Sequence, residues 1–469
     1  MKKITLFLFA IIMASSFATA ATGWLNDFLT IKVNGVSTAN NYFLVDSDPA
    51  SGATALNGKA FGTVAGLEIT GCDMKYWADN GDVRTGGAFY YKIMSADGST
   101  EVKPQVETLW DQTGPVVNVY QGIKATTLNI LIGLPAGTYQ LHVWAKSSDS
   151  QPTGDSWLLN SGANYVATFT VNTPVSITGA NGIVDNTQFI NLKAAFDAVN
   201  AQADQSTKNI EIKINGSTTE LATAALNQPT TASWNSLTIY PTTVGVSISG
   251  NFNGTLIDLY GADNVTINGK LNKNGAAKSL TITQDFSTDN PARTIRFAND
   301  AKNNTISYCT IKGSCPSSGA GVIFFSTAMT TPTAGTGNDD NTISYNDITK
   351  SAATGPYHVI FSSGTNGATN DRIIVDNNNI FDTYTGGTVY YGIRLGTQTN
   401  ECTITNNSLY ETSTVAPTGD LNYWGIYVQG TDKFTVSNNY IGGSSTGCVG
   451  TLRKSNTGSN QFTGIYIYQ

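Results

Sequence analysis

Charge is what this chain has least of. Only 13% of its 469 residues are charged, the formal net charge is −7, and no run of lysines or arginines occurs in it. A basic face for nucleic acid is therefore excluded. Histidine is scarcer still, with two copies. The five cysteines (Cys72, Cys309, Cys315, Cys402 and Cys448) show no metal-type Cys/His spacing, so no metal site and no cofactor is expected. Their odd number fixes no disulfide framework. Cys309 and Cys315 either bridge a loop or stay free, and Cys402, two residues before an inward Ile404, is expected to point inward as a small apolar residue. Long apolar runs are missing after the N-terminus, so no membrane insertion is expected. Low charge with abundant Gly, Asn, Thr and Ser can mean disorder, but an apolar fraction of 40% and recurrent strand-like phrases argue for packed all-β structure.

The one exception to the missing apolar runs is a processing signal. Lys2 and Lys3 precede the run Ile4–Met13, and Ala18-Thr19-Ala20 offers small residues for cleavage, so residues 1–20 read as a signal peptide and the protein as exported.

What the chain does have is a phrase that returns. It reads Asn304-Thr-Ile-Ser-Tyr-Cys-Thr-Ile311, Asn341-Thr-Ile-Ser-Tyr-Asn-Asp-Ile348, Val375-Asp-Asn-Asn-Asn-Ile380, Ile404-Thr-Asn-Asn-Ser-Leu409 and Val436-Ser-Asn-Asn-Tyr-Ile441. The closing aliphatics are spaced by 37, 32, 29 and 32 residues, a period that means stacked repeats. Aliphatics five apart cannot share one face of a straight strand, so a turn falls between them. Asn tolerates the left-handed angles of such a turn, and Asn346, Asn378, Asn407 and Asn439 are expected to form a hydrogen-bonded ladder, with Cys309 in the same slot one repeat earlier. Ile311, Ile348, Ile380, Leu409 and Ile441 should form one inward row.

A second phrase interleaves with it: Gly321-Val-Ile-Phe324, His358-Val-Ile-Phe361, Gly392-Ile-Arg-Leu395, Gly425-Ile-Tyr-Val428 and Gly464-Ile-Tyr-Ile467, with Thr294-Ile-Arg-Phe297 as an earlier copy. Two apolar residues around one variable residue make a half-buried strand. Aligning the copies gives an expected outward column of Arg296, Ile323, Ile360, Arg394, Tyr427 and Tyr466. The fold expected is a parallel β-helix over residues 187–469, incomplete at the C-terminus. Its open end, after Gly464–Tyr468, would allow end-to-end association.

Residues 21–172 differ. Five of the seven tryptophans fall here (Trp24, Trp77, Trp110, Trp144 and Trp157), with alternating strands at Phe28–Val33, Ala88–Ile93, Thr138–Val143 and Tyr165–Val171. Short strands between turns suggest an antiparallel β-sandwich, followed by a linker over 173–186. In Asn191–Asn200, Leu192, Ala195, Phe196 and Val199 fall on one helical face, and Asn191 is a plausible N-cap. This helix is expected to cap the stack.

The run from Leu192 through Thr218-Thr-Glu220, Leu237-Thr-Ile239, Gly261-Ala-Asp-Asn-Val-Thr-Ile267 and Asn304-Thr-Ile306 resembles exported right-handed parallel β-helix proteins of the pectate-lyase superfold, common on the surfaces of Bacteroidetes-type bacteria. The N-terminal region is similar to a β-sandwich module that accompanies them. The resemblance implies a secreted or cell-surface protein that takes a polysaccharide or surface glycan as its partner. Some members cleave such polymers. The paired Asp339-Asp340 matches polygalacturonase-like enzymes only superficially, and their Gly-His-Gly and Arg-Ile-Lys motifs are absent.

The candidate carbohydrate-binding residues are Arg394, Tyr427 and Tyr466 in the outward column, with Tyr423 and Trp424 just ahead of one rung. Aromatic rings offer flat apolar area, and Arg forms a fork to a carboxylate. The same rings would equally serve to cover a sheet. His358 is expected to take the Gly slot, face outward, and either pair with Arg394 in acid–base work or simply bond a loop. No catalytic set is evident. The outward column of the first phrase (Ser307, Ser344, Asp376, Thr405, Ser437) holds one acid, whereas glycoside cleavage uses two facing carboxylates. Asp46-x-Asp48 with Gly52 hints at a Ca²⁺ loop without its closing acid. The expected function is non-catalytic glycan binding, adhesion or a structural stalk; the alternative is a lyase or glycoside hydrolase acting on an acidic polysaccharide.

Overall fold

A computed structural model describes residues 22–25, 27–34, 40–45, 54–78, 84–109, 111–116, 119–123, 127–131, 134–149, 155–288, 292–326, 337–387, 389–417, 422–430, 432–452 and 460–468. Residues 1–20, expected to be a signal peptide, Trp110 and residues 46–52 lie outside the described residues. The chain is all-β and divides into two compact units, Met1–Asn172 and Thr173–Gln469. Among the described residues no helix is long and apolar enough to cross a membrane.

The first unit holds two sheets. One runs through Asp27–Val33, Asn40–Val45, Leu67–Ala78 and Val119–Ile123; the other through Arg84–Ser95, Gly137–Asp149 and Tyr165–Val171. Pairing is antiparallel except where Tyr165–Val171 meets Lys59–Val64 and Asn40–Val45 meets Thr54–Ala55. Period-2 burial is clear in Tyr165–Val171, whose alternate residues Tyr165, Ala167, Phe169 and Val171 are buried. All four strands read from the sequence are present. Tyr90 and Trp144 stack with centroids 5.5 Å apart.

The second unit is a set of parallel sheets. Each repeat places one strand in each of three sheets, in fixed order. In one repeat these are Thr403–Thr405, Ser408–Tyr410 and Tyr423–Val428. The arrangement is compatible with a parallel β-helix. Three aliphatic rows meet inside. The first sheet contributes Ile267, Ile306, Ile343, Val375 and Ile404. The second contributes Ile282, Ile311, Ile348, Ile380, Leu409 and Ile441, which includes the expected row in the expected register. The third contributes Ile295, Ile323, Ile360, Ile393 and Ile426, and the row ends at Ile465, which is 47% exposed. Burial of these rows removes apolar surface from water along the whole stack, at about 25 cal/mol per Å².

Between the first two sheets the asparagine ladder forms as expected. Asn346 N–H and Nδ2 both donate to Asn378 Oδ1 (3.0 and 3.1 Å), Asn378 does the same to Asn407, and Asn407 to Asn439. Cys309 N–H donates to Asn346 Oδ1 at 2.9 Å, filling the first slot. The left-handed residue is the one before the ladder position: Tyr308, Tyr345, Asn377, Asn406 and Asn438 all have φ between 54° and 59°. Cys309, Cys315, Cys402 and Cys448 are free thiols, three of them buried. Burial pushes the Cys309 and Cys402 thiols up to about 12.

The stretch 173–186, read as a linker, contains the strand Val175–Thr178, which pairs with Asn209–Ile214 and buries Val175 and Ile177. The helix Leu192–Asn200 packs Leu192, Ala195, Phe196 and Val199 into the same core. Its first three amides are all taken. Asn191 Oδ1 accepts from Ala194 N–H, and the Glu220 carboxylate accepts from Leu192 and Lys193 N–H, all at 2.9 Å. Burial raises the Glu220 carboxyl, opposed by these donors and by the Thr218 hydroxyl. Glu220→Ala is expected to lower the unfolding free energy by about 2–3 kcal/mol, because two buried N–H groups lose a charged acceptor. Denaturation followed by circular dichroism checks this, and an unchanged midpoint would refute the capping role.

Candidate functional site

The third sheet carries the site, and small residues make it. In Tyr390–Leu395 both Gly392 and Ile393 are buried, so two consecutive positions turn inward. Gly425 and Ile426, and Val359 and Ile360, repeat this. The phase shift brings residues three apart to the same outer side: His358 with Phe361, Tyr391 with Arg394, and Trp424 with Tyr427. A Cβ on Gly392 would sit 2.5 Å from Leu409 Cδ2, and one on Gly425 2.7 Å from Ile441 Cγ2, so glycine is what these corners admit.

Two columns result. Strand register places Asp258, Arg296, Phe324, Phe361, Arg394, Tyr427 and Tyr466 in one. His358, Tyr391, Trp424 and Thr463 form the other. The outward column read from the sequence is corrected at two places. Ile323 and Ile360 are fully buried in the inner row, and Phe324 and Phe361 face outward instead. The cause is a one-residue slip: Val359, not His358, sits in register with Gly392, and such a slip exchanges faces. His358 is corrected with them. It lies on this outer side in register with Tyr391 rather than in the glycine slot, and it is fully buried there rather than exposed.

Arg394 is the centre of the cluster. Its guanidinium carbon lies 5.2 Å from the Phe361 centroid, 4.9 Å from Tyr391 and 5.5 Å from Tyr427. Its Nη1 donates to His358 Nε2 at 3.0 Å. Arginine cannot accept, so His358 Nε2 carries the lone pair and its Nδ1–H donates to the Ala320 carbonyl, 2.9 Å away. Burial pulls the His358 pKa down to about 3, and the Arg394 charge adds to it against the Ala320 carbonyl. The structure thus brings together the pair suspected of acid–base work, but as a neutral imidazole whose only lone pair holds the arginine. The pair positions a charge; it has no free base. Arg394 Nε is buried without a hydrogen-bond partner, and among the described residues no carboxylate pairs with Arg394. Arg296, lower in the column, is by contrast neutralised by buried Asp258.

The aromatic partners close the face. Tyr391 stacks on Trp424 with centroids 4.6 Å apart and meets Tyr427 edge-on at 5.3 Å; Tyr427 stacks on Tyr466 at 5.1 Å. Trp424 and Tyr427 are half-buried and Tyr466 is 39% exposed. Tyr423 turns inward and is buried against Tyr390 and Tyr384. Arg394, His358, Trp424, Tyr427 and Tyr466 therefore lie in one continuous cluster, and Tyr423 lies outside it. Sequence reading missed Tyr391 and Phe361. The signal was present in the residue ahead of each phrase, Tyr391-Gly-Ile-Arg394 beside Trp424-Gly-Ile-Tyr427, but the phrases were opened on the glycine.

Asp339 and Asp340 do not form an open acid pair, because Arg372 is bonded to both, at 3.3 and 2.6 Å. Among the described residues no group of three or more His, Cys, Asp or Glu side chains is placed to hold a metal ion. No family model matches the chain, and neither a curated protein nor a solved structure is found to match it.

Proposed function

We propose that the second unit is a right-handed parallel β-helix, the first a β-sandwich, and the whole an exported surface protein that binds carbohydrate without cleaving it. The observation that carries the reading is the Arg394 cluster: a guanidinium without a carboxylate partner among the described residues, ringed by aromatics whose Trp424, Tyr427 and Tyr466 edges reach solvent. Flat apolar rings suit the C–H faces of sugars, and an unneutralised guanidinium suits a carboxylate or hydroxyl acceptor. Such an open face buries little ligand surface, so binding should be roughly millimolar to micromolar.

The test is a glycan array followed by titration, paired with a reducing-end release assay on the same polysaccharides. Tyr427→Ala is expected to weaken binding about tenfold, the value of one aromatic contact, with the far-ultraviolet spectrum unchanged. Turnover of a polysaccharide, lost on Arg394→Met, would establish instead the lyase or hydrolase reading. Unchanged binding in a Tyr427→Ala, Tyr466→Ala double variant would remove the ligand from this face.

A further inference from the structure

A second aromatic group lies elsewhere on the same unit, at the turn between the first and second sheets. The left-handed turn residue is asparagine in three repeats but tyrosine in two, Tyr308 (φ 57°) and Tyr345 (φ 58°). Asparagine accepts this conformation readily; a bulky side chain does so at a cost, and such outliers cluster at functional sites. The two rings are parallel within 5°, with centroids 4.9 Å apart. Lys270 Nζ covers the far side of Tyr308, 3.7 Å from its centroid. The other side of Tyr345 carries no ring or cation among the described residues, and Tyr345 is 42% exposed.

What lies beside that open ring is polar and fixed. One repeat on, the turn residue Asn377 is shorter than a tyrosine and folds its Nδ2 onto Asp376 Oδ2 at 2.7 Å, leaving the outer part of the Tyr345 ring uncovered. Asp376 Oδ1 accepts from Thr405 Oγ1 at 2.7 Å and Asn406 Nδ2 at 2.8 Å. Partial burial raises the Asp376 carboxyl, but these three donors hold it below its usual range, so it is ionised at neutral pH. One repeat beyond the ring lie a pre-oriented carboxylate and the Asn377 amide, with the Asn406 amide a repeat further, and no cation lies over the ring's open side among the described residues.

We propose that Tyr345, with Asp376, Asn377 and Asn406 beyond it, is a stacking subsite for one pyranose ring of a neutral glycan. The ring takes the sugar's C–H face, and the carboxylate and amide oxygens accept from its hydroxyls. The carboxylate disfavours an acidic sugar, so this subsite differs in chemistry from the Arg394 face and does not depend on it.

The test uses the full chain with linear hexasaccharides of β-1,4-linked glucose, mannose and xylose, by saturation-transfer NMR and titration. At least one is expected to bind. Tyr345→Asn, which installs the residue of the later repeats, is expected to raise Kd at least about tenfold and to keep or raise the thermal midpoint, since the turn relaxes. In a Tyr427→Ala background the same rise in Kd on Tyr345→Asn is expected, because the two faces bind independently. Absence of transfer from all three sugars overturns the proposal. So does wild-type affinity in Tyr345→Asn, or a lowered midpoint, which would make the ring structural. Loss of binding in Tyr427→Ala alone would move the sugar to the third-sheet face and overturn it equally.

Discussion

Raising the pH from 5 to 9 is expected to destabilise both units, each through one buried carboxyl. In the first unit Asp27 is fully buried on the inward face that continues with Leu29 and Ile31. Its Oδ1 accepts from Lys75 N–H at 2.7 Å, while Oδ2 has no partner among the described residues. In the second unit Glu411, 3% exposed, accepts from Tyr384 N–H at 3.0 Å. Burial raises both pKa values to about 8. The sign follows from proton counting. Between the unfolded carboxyl pKa, about 4, and 8, the folded chain keeps a proton that the unfolded chain has lost, so stability falls as pH rises through that window and is flat beyond it. The loss is on the order of 5 kcal/mol per group across the full window. Urea midpoints at pH 5, 7 and 9 check it. Asp27→Asn should flatten the dependence in the first unit and Glu411→Gln in the second. A midpoint that holds constant, or rises with pH, would refute the buried-acid account.

The ladder and the inner row give the second large effect. Asn378→Ala removes the acceptor of two Asn346 donors and the donor to the Ile343 carbonyl, all within buried surroundings. Each buried group left unpaired costs about 1–3 kcal/mol, so the substitution should cost about 3 kcal/mol or more. Ile380→Ala, two residues on, empties a side chain with 1% exposure and should cost about 2–5 kcal/mol. Because each layer contacts its neighbours and not distant ones, the damage should be local. Hydrogen exchange is the measurement. Amides in 374–410 should lose protection while those in 209–250 keep theirs. Uniform loss over the whole unit would show that the layers unfold as one.

Much of this was written in local pattern. The ladder asparagines and the Ile311–Ile441 row are set by short phrases whose repeat spacing leaves one workable register. The helix face from Leu192 to Val199 and its Asn191 cap are local as well. The third sheet was harder for a physical reason. Its strands carry two consecutive inward residues, so strict alternation, the rule by which faces are assigned, fails at the position that builds the site. His358 was put in the wrong register for that reason, and Tyr391 was missed. Glu220 and Glu411 were illegible in another way. Each acts on backbone amides about 27 residues away in the chain, Lys193 and Tyr384, and nothing near either residue marks that meeting.

The free thiols have a consequence for where such a chain can live. Cys309 takes a ladder slot otherwise held by asparagine, and Cys402 lies beneath the Ile404 strand; both have thiols too high in pKa to offer thiolate near neutrality. Thiolate is the species that attacks disulfides and reacts with oxidants. Stability here comes from stacked amides and aliphatic rows, so the second unit closes with no oxidative step and holds nothing in those two positions for a reductant to undo. At Cys309 and Cys402 the fold therefore offers little to an oxidant or a reductant.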